Sequence, residues 1–108
     1  MFEKIGMTEK QFSDIVSVFA KFPQIERAVV FGSRAKGNFK KYSDVDICLY
    51  GEFDYLFDEH IKLELDELYV IFEFDVLSYN HLSNEKLKEH IDRVGITIYE
   101  RNGNAEEQ

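Results

Sequence analysis

Two short apolar runs joined by a polar connection limit the folds open to this chain more than any other feature. The first run ends at Gly32-Ser33, and the second carries Asp44 and Asp46, with ten residues between Ser33 and Asp44. Runs of this length, rich in β-branched and apolar residues, predict two β-strands. Because side chains alternate along a strand, Asp44 and Asp46 are expected to leave the same face. The pattern therefore predicts a tight turn beside a pair of carboxylates.

The Gly-Ser turn has the chemistry of a phosphate site. Gly32 has no Cβ, so the backbone can turn sharply there and approach a ligand closely. Ser33 supplies a hydroxyl and begins a predicted short helix over 33–36, whose first amides favour phosphate. Arg34 and Lys36 are cations that suit a leaving pyrophosphate, but residues two apart on a helix do not face one ligand together. A Gly-Ser pair alone is more often only a turn.

Three aspartates are candidate metal ligands. Asp44 and Asp46 offer hard oxygen atoms, which suit Mg²⁺ beside a triphosphate. A further apolar run over 71–77 carries Glu73 and Asp75 at alternate positions. An acid buried in such a strand requires a partner, and we expect Asp75 to be the third ligand, with Glu73 facing solvent. The alternative is that Asp75 also faces water on a half-exposed sheet.

Together these motifs resemble the nucleotidyltransferase superfamily typified by DNA polymerase beta. The stretch Phe31-Gly32-Ser33-Arg34-Ala35-Lys36-Gly37 is similar to the minimal branch of that superfamily, the MNT proteins. The resemblance covers about residues 29–99. It implies an α/β nucleotidyltransferase fold, with a small mixed β-sheet and helices packed on it.

The resemblance also implies a role for each motif residue. Gly32 and Ser33 would hold the triphosphate of ATP. Apart from the resemblance, the position of Arg34 on the predicted short helix makes it a candidate nucleotide contact, with a solvent-facing charge as the alternative. Asp44, Asp46 and Asp75 would be catalytic and would bind two Mg²⁺ ions. The implied reaction is transfer of AMP from ATP to a hydroxyl, expected to be that of a tyrosine. The implied acceptor is a HEPN-domain toxin encoded nearby, for which this chain would be the antitoxin.

Two other functions stay open at this point. The chain is an antitoxin that neutralises its HEPN partner by contact alone, or it is a nucleotidyltransferase that modifies a small molecule such as an antibiotic. The intact set of acids disfavours the first, and the lack of an added substrate domain disfavours the second.

Length and charge agree with a minimal domain. The 108 residues predict one domain over 1–101, followed by a polar tail over 102–108 that we expect to be disordered. Ten Phe and six Tyr residues are available to fill its core. The net charge of −8 makes direct nucleic-acid binding unlikely, because phosphate backbones select basic surfaces.

The remaining signals concern location and unused side chains. The single cysteine, Cys48, excludes an internal disulfide and predicts a cytoplasmic protein. We expect Cys48 to be a small core residue. No apolar stretch approaches the roughly 18 residues of a membrane span. His60, His81 and His90 lack zinc-ligand spacing, so surface or capping roles are expected for them.

Periodicity and capping signals place the elements. Expected helices run over 8–22 and 33–36, from Asp54 through Leu68, and from Leu82-Ser83 to Val94. Expected strands cover 27–31, 44–50, 71–77 and 96–99.

Overall fold

The computed structural model describes residues 2–101, which form a four-stranded β-sheet with helices on both faces. The helices are α1 (Glu9–Ala20), α2 (Ser33–Lys36), α3 (Leu56–Asp66) and α4 (Glu85–Val94). The strands are β1 (Ile25–Phe31), β2 (Val45–Gly51), β3 (Phe74–Ser78) and β4 (Ile96–Glu100). Short 3₁₀ turns cover Phe2–Ile5 and Tyr79–His81.

The strand order across the sheet is β3-β2-β1-β4. Strand β1 is antiparallel to both β2 and β4, whereas β2 and β3 are parallel. A parallel pair requires a crossover connection, and α3 lies in the chain between β2 and β3. The predicted mixed sheet with packed helices is therefore confirmed.

Helix α1 begins as its capping signal predicts. The hydroxyl of Thr8 accepts a hydrogen bond from the Gln11 amide at 3.1 Å, and the Gln11 side chain accepts one from the Thr8 amide at 2.9 Å. The helix ends at Ala20, two residues earlier than expected. The next amides turn back to carbonyls three residues earlier in a tight last turn, ahead of Pro23.

The observed strand boundaries differ from the expected ones by one to three residues, and two of these differences concern the strands that carry the aspartates. Strand β2 begins at Val45, so Asp44 precedes the strand and is not its first residue. Strand β3 begins at Phe74 and not at Ile71. The reason is pairing: Val45 lies opposite Phe74, so residues before Phe74 have no ladder partner in β2.

Side chains displace the starts of α3 and α4 from the expected positions. The carboxylate of Asp54 accepts a hydrogen bond from the Leu56 amide at 3.0 Å, and α3 begins at Leu56. The side chain of Asn84 accepts one from the Leu87 amide at 3.1 Å, so α4 begins at Glu85 and not at Leu82-Ser83. Asn is a strong N-cap residue, and it sets the boundary here.

The sheet separates two apolar clusters. The larger one packs α1 and α3 against alternate strand residues that include Val30, Ile47 and Phe74. The smaller one packs Ile91 of α4 against Val29, Phe31 and Cys48. Cys48 is fully buried, and burial raises the pKa of its thiol to about 12, so it is a protonated core residue at neutral pH, as expected.

None of the helices within residues 2–101 has the length and apolar composition needed to cross a bilayer. The predicted disorder of 102–108 lies outside the described residues. The division into a domain over 1–101 and a tail stays a prediction.

Candidate functional site

Strand register brings the aspartates to one edge of the sheet. Asp46 lies directly opposite Asp75 in the parallel pair of β2 and β3, and opposite Phe31 in β1. Gly32 follows Phe31 immediately, so the turn and the acids meet at this edge. Asp46 is half-buried, whereas Asp44 and Asp75 are exposed. The structure thus places together the turn and the three carboxylates that the sequence selected.

Burial and the neighbouring acids disfavour the charged form of Asp46. The pKa of Asp46 is raised to about 6, first because the group is partly buried and then because Asp75 and Asp44 are close. A hydrogen bond between the Asp46 and Asp75 side chains acts in the same direction. Like charges that share a site favour a protonated carboxyl unless a cation compensates them. The cluster is therefore electrostatically suited to bind cations.

The three aspartates have no direct ion-pair partner in the described part of the chain. In residues 2–101, no lysine or arginine forms an ion pair with Asp44, Asp46 or Asp75. Nor do three or more Asp, Glu, His or Cys side chains of this range converge closely enough to enclose a metal ion. Mg²⁺ is ordinarily held by one or two carboxylates together with substrate phosphates. The close pair of Asp46 and Asp75 beside the Gly32-Ser33 turn fits that mode of binding.

Gly32 has a backbone conformation that side-chain-bearing residues rarely adopt. Its φ is +72° and its ψ is −151°. A Cβ atom added here would overlap the carboxylate oxygen Oδ2 of Asp46. We expected glycine at this position for close approach of a phosphate. The structure adds a second reason, which is room for the Asp46 carboxylate against the turn.

The turn leads into α2, as predicted. Ser33 is the first residue of the helix, and the Lys36 amide donates to the Gly32 carbonyl at 3.0 Å. Gly37 ends the helix in the left-handed conformation with φ +89°. The side chain of Lys36 is exposed.

The side chain of Arg34 is buried and does not extend into solvent, where a phosphate-contacting side chain would lie. Its side chain is 1% exposed, and it donates to the carbonyls of Ile5 and Ser43 at 2.9 Å each and of Lys41 at 3.2 Å. The guanidinium also lies 4.6 Å from the ring centroid of Phe72. Burial lowers its pKa from the ordinary value, although Asp44 acts in the opposite direction. The prediction that Arg34 contacts the nucleotide is therefore corrected. Its side chain instead hydrogen-bonds both the loop before Asp44 and the N-terminal 3₁₀ turn.

This assignment predicts that Arg34→Lys loses stability. A lysine keeps the charge but lacks the planar fork, so buried carbonyls lose their donors. The expected loss is about 2 kcal/mol, which lowers the unfolding temperature by roughly 10 °C. Thermal unfolding measures it, with Lys36→Met on the same helix as the control expected to change little. An Arg34→Lys protein with unchanged stability but weakened ATP binding would restore the phosphate role.

His90 is a site residue that the sequence reasoning missed. The Gly32 amide donates to its Nε2 at 3.2 Å, and its ring packs edge-on against Phe31 with centroids 6.2 Å apart. We expected a surface or capping role because only metal-ligand spacing was considered. The usable signal was helical spacing: His90 is three residues after Leu87 and four before Val94, so it shares the apolar face of α4.

The fold and this edge of the sheet define a nucleotide-transferring class of protein, and comparison with known proteins agrees. Residues 13–104 match the family model described as polymerase beta, nucleotidyltransferase. The chain belongs to this family. The match spans all three aspartates and the Gly32-Ser33 turn.

Individual relatives narrow the comparison. The chain is 26% identical over 107 residues to a probable protein adenylyltransferase MntA of Haemophilus influenzae, covering 97% of this chain and 93% of that one. A crystal structure of a toxin-antitoxin with AMP-PNP superposes with a TM-score of 0.71 at 16% identity, covering 88% of this chain and 77% of that one. A tri-AMPylated Shewanella oneidensis HEPN toxin in complex with MNT antitoxin gives a TM-score of 0.67 at 14% identity, covering 93% and 78%. These structural likenesses establish the fold.

Proposed function

We propose that this chain is a Mg²⁺-dependent protein adenylyltransferase that moves AMP from ATP to a tyrosine hydroxyl of a HEPN-domain partner, and so acts as an antitoxin. The observation that carries the proposal is the register of Asp46 against Asp75 beside the Gly32-Ser33 turn. The likeness to a relative named as a probable adenylyltransferase and to a complex with an AMPylated HEPN toxin supports it. A cytoplasmic location is part of the proposal.

In this proposal each residue has a defined task. Asp44, Asp46 and Asp75 would hold two Mg²⁺ ions, and the ions would supply charge neutralisation at the triphosphate and at the α-phosphorus. The turn at Gly32-Ser33 positions the β- and γ-phosphates. Asp75 is the exposed member of the close pair, so it faces the arriving acceptor. It ligates at the acceptor side or takes the acceptor's proton.

The reaction is an in-line displacement at the α-phosphorus of ATP. The acceptor oxygen forms a new bond to the α-phosphorus while the bond between the α-phosphorus and the bridging oxygen breaks. Pyrophosphate leaves, and Lys36, an exposed cation on α2, is a candidate to offset its charge. The proton of the acceptor hydroxyl passes to a carboxylate of the site or to water.

The acidity of the chain supports a protein acceptor that is basic. A net charge of −8 speeds and orients encounter with a partner of opposite charge, such as a protein that handles RNA. The same charge disfavours direct binding to nucleic acid.

A direct test is incubation of the HEPN-domain protein encoded beside this chain with the chain, ATP and Mg²⁺. The expected result is one or more AMP-sized mass increments on a tyrosine of the partner, found by intact-mass measurement and peptide mapping. The increments should require Mg²⁺ and disappear with Asp75→Asn. An unmodified partner under conditions in which it is fully neutralised would refute the enzymatic proposal.

A second candidate function is that of an antitoxin that acts by contact alone. The likeness of the fold to an antitoxin in complex with its HEPN toxin supports this function too, because that likeness does not depend on catalysis. Its distinguishing result is tight binding and full neutralisation by Asp75→Asn without any change in the partner's mass.

A further inference from the structure

The contact between His90 and Gly32 ties the phosphate turn to a helix that the proposed chemistry does not otherwise use. The two residues are 58 positions apart in the chain. Gly32 N–H is the donor and Nε2 of His90 is the acceptor, at 3.2 Å. An imidazole nitrogen that accepts carries no proton, so this geometry requires a neutral His90 with its proton on Nδ1.

Three further contacts hold His90 in place. Ile91, the next residue, is 2% exposed in the smaller apolar cluster. At the end of the helix, a Cβ added to Gly95 would lie 2.6 Å from Cγ1 of Val29, so α4 approaches β1 closely there. The His90 ring packs edge-on against Phe31. The acceptor is therefore fixed relative to the strand that leads into the turn.

We infer that His90 is a positioning residue for nucleotide binding, an inference that rests on the proposed function. Gly32 has a φ of +72°, and glycine visits positive φ about as readily as negative φ, so its own backbone preferences do not fix this one conformation. By accepting from the Gly32 amide, His90 fixes the peptide that precedes Ser33 and presents the turn to the triphosphate in one orientation. Pre-ordering of this kind lowers the entropic cost of binding and does not require His90 to touch the nucleotide.

The matched variants are His90→Phe and His90→Gln. Phenylalanine keeps a ring against Phe31 but has no acceptor, whereas the glutamine side chain places an amide oxygen at about the reach of Nε2. We expect His90→Phe to weaken ATP-Mg²⁺ binding about tenfold, with kcat within about twofold, since the lost hydrogen bond acts on ground state and transition state alike. His90→Gln should recover most of the affinity.

Two readouts separate this inference from the proposed function. The first is the nitrogen-15 and proton resonance of the Gly32 amide in nucleotide-free protein, which should shift in His90→Phe and be largely restored in His90→Gln. The second is calorimetric titration of wild type and both variants with ATP-Mg²⁺. His60→Phe, a histidine on α3 that packs against Phe22, is the control and should bind as wild type does.

Each outcome has a defined meaning. If wild type binds no ATP, the proposed function fails and the positioning role fails with it. If wild type binds ATP but His90→Phe binds equally within twofold, the positioning role alone is overturned. An unshifted Gly32 amide in His90→Phe overturns the hydrogen bond itself. Weakened binding in His90→Phe, rescued by His90→Gln, supports the inference.

Discussion

Replacing Asp46 by asparagine is expected to abolish AMP transfer while making the protein more stable at neutral pH. The variant removes a central ligand of the proposed metal site, and loss of several kcal/mol of charge stabilisation slows transfer by about a thousandfold or more. The same change relieves the burial of a charge and its repulsion by Asp75 and Asp44. We expect a gain of roughly 1 kcal/mol in unfolding free energy, because solvent screens this half-buried group.

The sign of the stability change depends on pH in a defined way. The folded pKa of Asp46 is about 6, above the ordinary value of 3.8. Ionisation therefore destabilises the fold above pH 6, and this penalty disappears as pH falls towards 4. Thermal unfolding should show Asp46→Asn ahead of wild type at pH 7 and level with it near pH 4.

Glu73→Gln is the matched control for Asp46→Asn. It removes one negative charge from an exposed residue two positions before Asp75, so it should leave transfer within about twofold and stability nearly unchanged. Transfer that survives in Asp46→Asn would remove this residue from the site. A loss of stability at pH 7 would contradict the electrostatic account.

Gly32→Ala is expected to lose ATP binding and transfer by more than about a hundredfold, with a loss of stability of about 2 kcal/mol. The stability loss comes from placing a side chain at φ +72°. The functional loss comes from the new Cβ, which would overlap the Asp46 carboxylate and drive it out of position; displacement of a reacting group by about 1 Å is enough for such an effect.

Gly37→Ala separates these two causes. Gly37 also has a positive φ, +89°, but a Cβ there would meet no atom within 4 Å. We expect this variant to lose about 1 kcal/mol of stability and to keep its activity. Calorimetric ATP binding and thermal unfolding of both variants give the comparison. Equal functional losses in Gly32→Ala and Gly37→Ala would mean that strain, and not the Asp46 carboxylate, makes glycine necessary.

Local sequence signals predicted the elements of this fold well because their causes are local. The Thr8 and Gln11 side chains satisfy each other's backbone amides within one turn. The alternation of apolar residues along β2 predicts which of its side chains face the core, because successive side chains leave opposite faces of a strand. Parallel pairing brings Asp46 and Asp75 opposite each other, and their role as ligands stays a prediction.

What the sequence did not predict depends on contacts between distant residues. Arg34 follows Ser33 directly, so its position in the sequence predicts a contact with the nucleotide. In the structure its N–H groups donate instead to the carbonyls of Ile5 and Ser43. The start of β3 is set by where β2 offers a pairing partner, and no local pattern in 71–73 records that limit. The contact of His90 with the Gly32 amide depends on the packing of α4 against β1, which brings together residues 58 positions apart.

Successive residues of β2 face opposite sides of the sheet, and the two sides contain different kinds of residue. The larger apolar cluster contains Val45, Ile47 and Leu49. The smaller cluster, on the other side of the sheet, contains Cys48, and Asp46 leaves the strand on that same side because it lies two residues earlier. A variant that lost Asp46 would keep the buried residues of β2 on both sides of the sheet, so it would still fold. Under the proposed function, one substitution thus separates an enzyme from a folded protein that lacks its chemistry.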